Sequence, residues 1–350
     1  MNKVLLGDVA EEVRENYKEM DGNPAVVGLE HLIPGEIRLK EWSEDTNTTF
    51  TKAFHKGQVL FGRRRAYLKK AAVAPVDGIC SGDITVISAK QDKILPELLP
   101  FVIQNDDFFD FAVGKSAGSL SPRVKWSRLK EYEFNLPSLS QQRKLAKLLW
   151  SFVDAKEAYE DLIRQTDELV KSQFIEMFGP IDQESHWKRV PWKKVLNIIN
   201  GKDYKKVPCD KGTYPVYGTG GEMARVDEYL CPENSVLVGR KGTIDHPLLV
   251  KEKFWNVDTA FGLVPNENLN YEYLYWFCLQ FDFWSINKGT TLPSTTKADL
   301  EKIEINVPPV ELQNQFATIV HQSDKSKFEL NEAIKDLDAM YKRIIKDNLG

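Results

Sequence analysis

The stretch LPSLSQQRKLAKLL, residues 136–149, returns as VPPVELQNQFATIV at residues 307–320, a constant offset of 171 positions. On that offset Gln142, Leu145, Ala146, Leu149, Leu162, Ile163, Leu169, Val170 and Phe174 fall on Gln313, Phe316, Ala317, Val320, Ala333, Ile334, Met340, Tyr341 and Ile345. Most of these positions are apolar in both copies, and their steps of three and four residues place them on one helical stripe. Proline breaks a helix interior, and none occurs between Pro137 and Pro180 or between Pro309 and Gly350. The pattern predicts two long helices, 139–179 and 310–350. A helix of about 38 residues runs roughly 57 Å, and an apolar stripe of that length needs a partner. The other copy is the obvious one. We expect an intramolecular antiparallel coiled coil paired through Leu145, Leu149, Ile163, Leu169, Val170, Phe174, Phe316, Val320, Ile334, Met340, Tyr341 and Ile345. The alternative is two helices packed independently on their own domains.

The duplication extends upstream of the helices. Val59-Leu-Phe-Gly-Arg63 matches Val236-Leu-Val-Gly-Arg240, each reading as a buried strand that ends in Gly-Arg. Asp83 before an alternating apolar run matches Asp258, Gly118 and Pro122 match Gly289 and Pro293, and Asn135-Leu-Pro137 matches Asn306-Val-Pro308. Internal repeats fix architecture before individual elements do. The expected organisation is a first globular domain over 1–138, a first helix over 139–179, a second domain over 180–309 and a closing helix over 310–350. Residues 180–186 read as the turn between the halves. Short strands with a few helices, around 97–111 and 271–285, make each domain α+β.

With 350 residues the chain suits two domains of about 100–200 residues each. Its 42% hydrophobic and 28% charged residues fit a folded globular protein. The apolar run after Met1 is too short for a signal peptide, and residues 271–284 are too short to span a bilayer, so we expect no membrane association and a cytoplasmic location. Cys80, Cys209, Cys231 and Cys278 form no C-x-x-C pair, and the five histidines are scattered. That spacing predicts neither a metal site nor a disulfide framework. The net charge of −4 argues against nucleic-acid binding until the charges are located: acids crowd into 154–184, and bases into particular loops.

Residues 56–70, KGQVLFGRRRAYLKK, carry Lys56, Arg63, Arg64, Arg65, Lys69 and Lys70 without one acid, and Tyr67 beside them. Residues 115–130 add Lys115, Arg123, Lys125, Arg128 and Lys130, with Trp126. Clusters of this kind neutralise phosphates, and an arginine fork also fits guanine O6 and N7. A single cluster is more often a solvated loop face; two in one domain favour DNA. In the second half the equivalent positions are thinner: Arg240, Lys241, residues 202–206, then Lys288 and Lys297 around GTTLPSTTK. YPVYGTGG, residues 214–221, lacks P-loop spacing and reads either as a tight turn approaching DNA, with Tyr217 as a contact, or as a plain loop. No P-loop, dinucleotide fingerprint, H-E-x-x-H or Gly-x-Ser-x-Gly elbow is present, so no catalytic residue is assigned.

Together these features resemble the specificity subunits of type I restriction–modification enzymes. The resemblance rests on Val27-Gly-Leu-Glu-His31, Phe54 with Gly57-Gln-Val-Leu-Phe-Gly62 through Tyr67, Gly78-Ile-Cys-Ser81 with Asp83, on YPVYGTGG and VDEYL in the second half, and on the two helix openings quoted above. It implies two target recognition domains reading the halves of a split, asymmetric site in double-stranded DNA, with the paired helices as a ruler between them. It also implies partners: two DNA methyltransferase (modification) subunits and, in a full enzyme, restriction motor-nuclease subunits. S-adenosylmethionine, ATP and magnesium would belong to those partners, and this chain would hold no cofactor. Rival readings are an enzyme with fused recognition domains, for which a catalytic motif is missing, and a coiled-coil protein-binding scaffold without DNA binding. Salt-insensitive binding would favour the scaffold.

Overall fold

The computed structural model describes residues 2–17, 24–183 and 186–350; the turn expected at 180–186 therefore lies partly outside the described residues. The chain divides into two compact units. Unit 1 is Met1–Glu160 with Asn331–Gly350, and unit 2 is Asp161–Leu330.

Unit 1 opens with β1 (Asn2–Leu5), the short α1 (Leu6–Val9) and β2 (Ala10–Val13). Strands β3 (Ala25–Val27), β4 (Lys52–Phe54), β5 (Val59–Gly62), β6 (Ala71–Val73), β7 (Gly78–Cys80) and β8 (Ile84–Ala89) follow. Then come α2 (Leu99–Ile103), α3 (Asp106–Gly114), α4 (Trp126–Leu129) and β9 (Glu133–Leu136). A four-stranded sheet has the order β2-β8-β5-β6 and a three-stranded sheet the order β3-β7-β4, while β1 and β9 pair antiparallel. Central β5 is buried at every position, as its uninterrupted apolar run requires. The Asn105 side chain caps α3 by accepting from the Asp107 N–H.

Helix α5 (Leu139–Phe178) carries the chain into unit 2. There β10 (Lys188–Pro191), β11 (Leu196–Asn200), β12 (Tyr214–Gly218), β13 (Gly221–Val226), β14 (Ser235–Gly239), β15 (Leu248–Val250), β16 (Trp255–Asn256) and β17 (Ala260–Pro265) repeat the plan. They are followed by α6 (Tyr271–Gln280), α7 (Lys297–Leu300), β18 (Glu304–Val307) and the closing helix α8 (Val310–Leu349). The four-stranded order β11-β17-β14-β15 and the β10–β18 pair reproduce unit 1. The three-stranded sheets differ: β7 is the centre in unit 1, whereas β12 is the centre in unit 2, in the order β13-β12-β16. YPVYGTGG forms β12 and the two-residue turn into β13, so it is a β-hairpin, with Tyr217 beside a bulge.

Both long helices are built into both units, and in each unit they run antiparallel. In unit 1, Lys156 of α5 bonds Asp338 of α8 at 3.2 Å, and Leu145, Leu149 and Val153 share one core with Ile345 and Leu349. In unit 2, Asp167 meets Lys327 at 2.7 Å, and seven residues further along α5 the Phe174 ring lies 5.4 Å from Phe316, earlier in α8. Leu145, Leu149, Val170, Phe174, Phe316, Val320 and Ile345 are all buried, and Ile163, Ile334 and Tyr341 are half-buried. Leu169 and Met340 are 57% and 55% exposed and lie off the seam. Their neighbours Val170 and Tyr341 take the inward positions, since adjacent helical residues point about 100° apart.

A buried glutamine fastens each helix to its unit. Gln142 accepts from the Leu95 N–H at 2.9 Å and donates to the Pro137 carbonyl at 3.0 Å. Its repeat mate Gln313 accepts from the Asn270 N–H at 2.7 Å and donates to the Pro308 and Asn268 carbonyls at 2.8 and 3.1 Å. Three of the four cysteines are buried, and desolvation pushes the thiols of Cys80 and Cys231 up to about 12. No helix among the described residues is long and apolar enough to cross a membrane.

Three outcomes follow from this packing. Phe174→Ala should destabilise unit 2 by about 3–5 kcal/mol, while Leu169→Ala on the exposed face should change stability by less than about 0.5 kcal/mol, as read by denaturant titration. Gln313→Ala, which orphans the Asn270 N–H, should cost about 1–3 kcal/mol. A thiol reagent should titrate Cys209 alone in the native protein and all four cysteines after unfolding; rapid native modification of a second cysteine would contradict the burial described.

Candidate nucleic-acid interface

The two units wire the loop after their central strand in the same way. In unit 1, Gly62 ends β5; the Arg63 N–H donates to the Asp83 carbonyl, the Val124 N–H to the Arg63 carbonyl, and the Arg65 N–H to the Pro122 carbonyl. In unit 2, Gly239 ends β14; the Arg240 N–H donates to the Thr259 carbonyl, the Thr295 N–H to the Arg240 carbonyl, and the Gly242 N–H to the Pro293 carbonyl. Isolated antiparallel bridges join Arg64 to Arg123 and Lys241 to Ser294. Gly239 is obligatory, because a Cβ there would lie 1.9 Å from the Thr243 carbonyl oxygen. The backbone thus equates Arg63 with Arg240, Arg64 with Lys241, Arg65 with Gly242, and Arg123 with Ser294.

The side chains on this common backbone are unlike. In unit 1 Arg123 grips Asp83 bidentately, Nε to Oδ1 at 2.7 Å and Nη2 to Oδ2 at 3.1 Å. Arg64 places Nη1 3.6 Å from the same carboxylate and donates from Nε and Nη2 to the Ser121 hydroxyl at 3.2 and 3.1 Å. The Arg123 guanidinium holds the Asp83 carboxyl below its ordinary range. Arg63 is half-buried with its Nε enclosed, and Arg65 is exposed in the left-handed region at φ 54°. Unit 2 has fewer cations here. Arg240 stacks 5.8 Å from the Phe261 ring and donates to the Asp258 carbonyl at 3.3 Å, and Lys241 is exposed.

Other sequence candidates are placed elsewhere or engaged within the protein. Tyr67 stands 53% exposed on the short turn after Arg65. Lys69 bonds Asp106 at 2.6 Å. Lys115 sits 5.4 Å over the Phe111 ring, and Lys125 is exposed at the start of α4. Lys56 is exposed beyond β4, where its N–H donates to Asp77. Tyr217 is half-buried, its ring edge-on to Phe254 at 5.8 Å. Lys288 lies 4.0 Å from Asp299, and Lys297 donates to the Ile198 carbonyl at 2.7 Å, anchoring α7 to β11. Two residues outside the sequence candidates complete the loops: Leu120 is 91% exposed and Leu292 56% exposed, each at the tip of the loop that bridges back to the arginine strand. Solvated leucines beside cations suit apolar contact with a base edge. Their signal was available in the sequence as a lone leucine in each polar loop, GSLSPR and GTTLPS.

Comparison with known proteins supplies the family. The chain is 28% identical over 145 residues to the type I restriction enzyme EcoDI specificity subunit of Escherichia coli, covering 39% of this chain and 31% of that protein. It is 26% identical over 312 residues to the type I restriction enzyme MjaIX specificity subunit of Methanocaldococcus jannaschii, covering 77% and 71%. The chain thus spans about a third of the E. coli relative's length and about seven tenths of the archaeal one's. Among solved structures, the type I restriction–modification S subunit of M. genitalium superposes with a TM-score of 0.62 at 15% identity, over 100% of this chain and 96% of that one. A chain from a structure describing complex assembly and conformational transition of a type I R-M system gives 0.61 at 18%, over 99% and 97%. These likenesses confirm the fold. The model of the type I restriction modification DNA specificity domain matches residues 6–165 and again 184–337, one copy for each half of the repeat, and the chain belongs to that family.

Proposed function

We propose that this chain is the sequence-reading subunit of a type I restriction–modification assembly, in which unit 1 and unit 2 each read one half of a bipartite, asymmetric DNA site. The observation that carries this reading is the pair of identically wired loops bearing different side chains: Arg64 and Arg123 in one unit, Lys241 and Ser294 in the other. A common backbone presents each loop in the same way, while unlike donors select unlike base edges. The chemistry would be done by partners. Two modification subunits would supply methyl transfer with S-adenosylmethionine, and restriction subunits would supply ATP- and magnesium-dependent cleavage. This chain would supply the address without a catalytic site of its own.

Single-molecule sequencing of methylated bases, in cells expressing this chain with its modification subunit and in cells lacking it, tests the proposal. A split motif should appear only when the chain is present. Exchanging residues 1–138 for those of a relative should then change one half of the motif and leave the other half unaltered. A confirmed complex that adds no motif, or an exchange that alters both halves, would contradict the assignment.

A further inference from the structure

In unit 1 one carboxylate serves two guanidinium groups that face each other across a single bridge. Arg64 and Arg123 are paired directly opposite, and both of their ion pairs go to Asp83. Two like charges side by side repel unless an anion lies between them. Asp83, only 19% exposed at its side chain, is that anion. It neutralises one of the two positive charges. Among the described residues no carboxylate lies within ion-pair distance of Arg63 or Arg65, and Arg63 also draws on the Asp83 charge from further off, so the loop cluster keeps a surplus of positive charge.

The geometry of the pairing decides what that surplus can do. Asp83 occupies Nε–H and one Nη2–H of Arg123, the side of the guanidinium nearest its own stem. The end-on fork, from Nη1 and the second Nη2–H, is left unused, and the side chain is 44% exposed. Arg64 repeats the arrangement with Ser121, committing Nε and Nη2 and keeping Nη1 for Asp83 and the outside. A guanidinium has five donors in a rigid plane, so fixing one edge fixes the direction of the other. Unit 2 has no equivalent: Lys241 faces Ser294, and the residue at the Asp83 position is Thr259, one place beyond the Asp258 that the sequence repeat matches to it, because Gly62 pairs with Ile84 as Gly239 pairs with Ala260.

We infer that Asp83 is a positioning residue for DNA reading by unit 1, holding Arg123, with Arg64 beside it, so that the free fork meets the O6 and N7 of a guanine in the half-site this unit reads. The inference deepens the proposed function and rests on it. Its consequence is an inequality between the units: one half-site is read by a braced arginine pair and the other is not. Bracing also removes side-chain freedom before binding, so less is lost when the contact forms.

The sign of one substitution separates positioning from simple charge. Asp83→Asn removes a negative charge next to DNA, so an electrostatic role alone predicts tighter binding to every sequence. Positioning predicts the opposite for the cognate site. The complex of the full chain with its modification subunit is titrated against duplexes carrying the motif mapped above and against single-base variants in each half. With Asp83→Asn, cognate affinity should fall about tenfold, with discrimination lost at a G·C pair in one half only. Affinity for unrelated DNA should hold or rise. Arg123→Lys, which keeps the charge and removes the fork, should lose the same discrimination, so the test stands even if Asp83→Asn fails to fold. If the wild-type complex discriminates and Arg123→Lys discriminates equally well, the inference is overturned while the specificity reading survives. If the wild-type complex discriminates nothing, both fall together.

Discussion

Ile345 and Leu349, near the end of α8, are buried in the same core as Leu6, Phe101 and Leu149 of the first unit. That burial is the constraint on which the rest depends. Unit 1 is closed only when residues 331–350 arrive to cover it, and unit 2 in turn includes the second half of α5, with Val170, Phe174 and Phe178 in its core. Each helix thus completes two cores. Fully burying a side chain the size of leucine or phenylalanine contributes about 1.5–3 kcal/mol, so removing either helix end would forfeit several such terms from a fold whose net stability is only about 5–15 kcal/mol.

Because the helices close the cores, the loops after β5 and β14 are free to vary. What recurs between the units is apolar packing and backbone hydrogen bonding: the paired strands β1–β9 and β10–β18, the four-stranded sheets, and the glutamines at the helix starts. What differs is the side chains of the loops and the build of the small sheets. The loop residues at Arg64 and Lys241, the partners at Arg123 and Ser294, and the central strand of each small sheet have all diverged. Backbone groups must be satisfied in either unit, whereas side chains aimed outward into solvent carry no such constraint.

The repeat and the helices were legible because their signals are periodic and local. An offset of 171 with no slippage across the helical stripe leaves little choice of register. The inward face was less legible at its edges: Leu169 and Val170 are both apolar, and only the packed unit decides that Val170 turns in. Side-chain pairings were not legible at all. Asp83 stood out as a repeat position, yet its grip on Arg123 spans 40 residues, and Lys297 finds the Ile198 carbonyl 99 residues away. Such contacts depend on loop paths that no periodicity encodes. A basic run in the sequence therefore overstates the free cations, because Lys69 and Lys297 are already engaged within the protein.

Hydrogen exchange on the full chain, with and without Ile345→Ala and Leu349→Ala together, tests the central claim most directly. If the end of α8 closes unit 1, the double variant should lose amide protection in α2 and α3, more than 200 positions away in sequence, and keep it in the β11–β17–β14 sheet of unit 2. Loss of protection confined to residues 340–350 would mean that α8 merely rests against unit 1, and the account of two cores built from shared helices would be wrong.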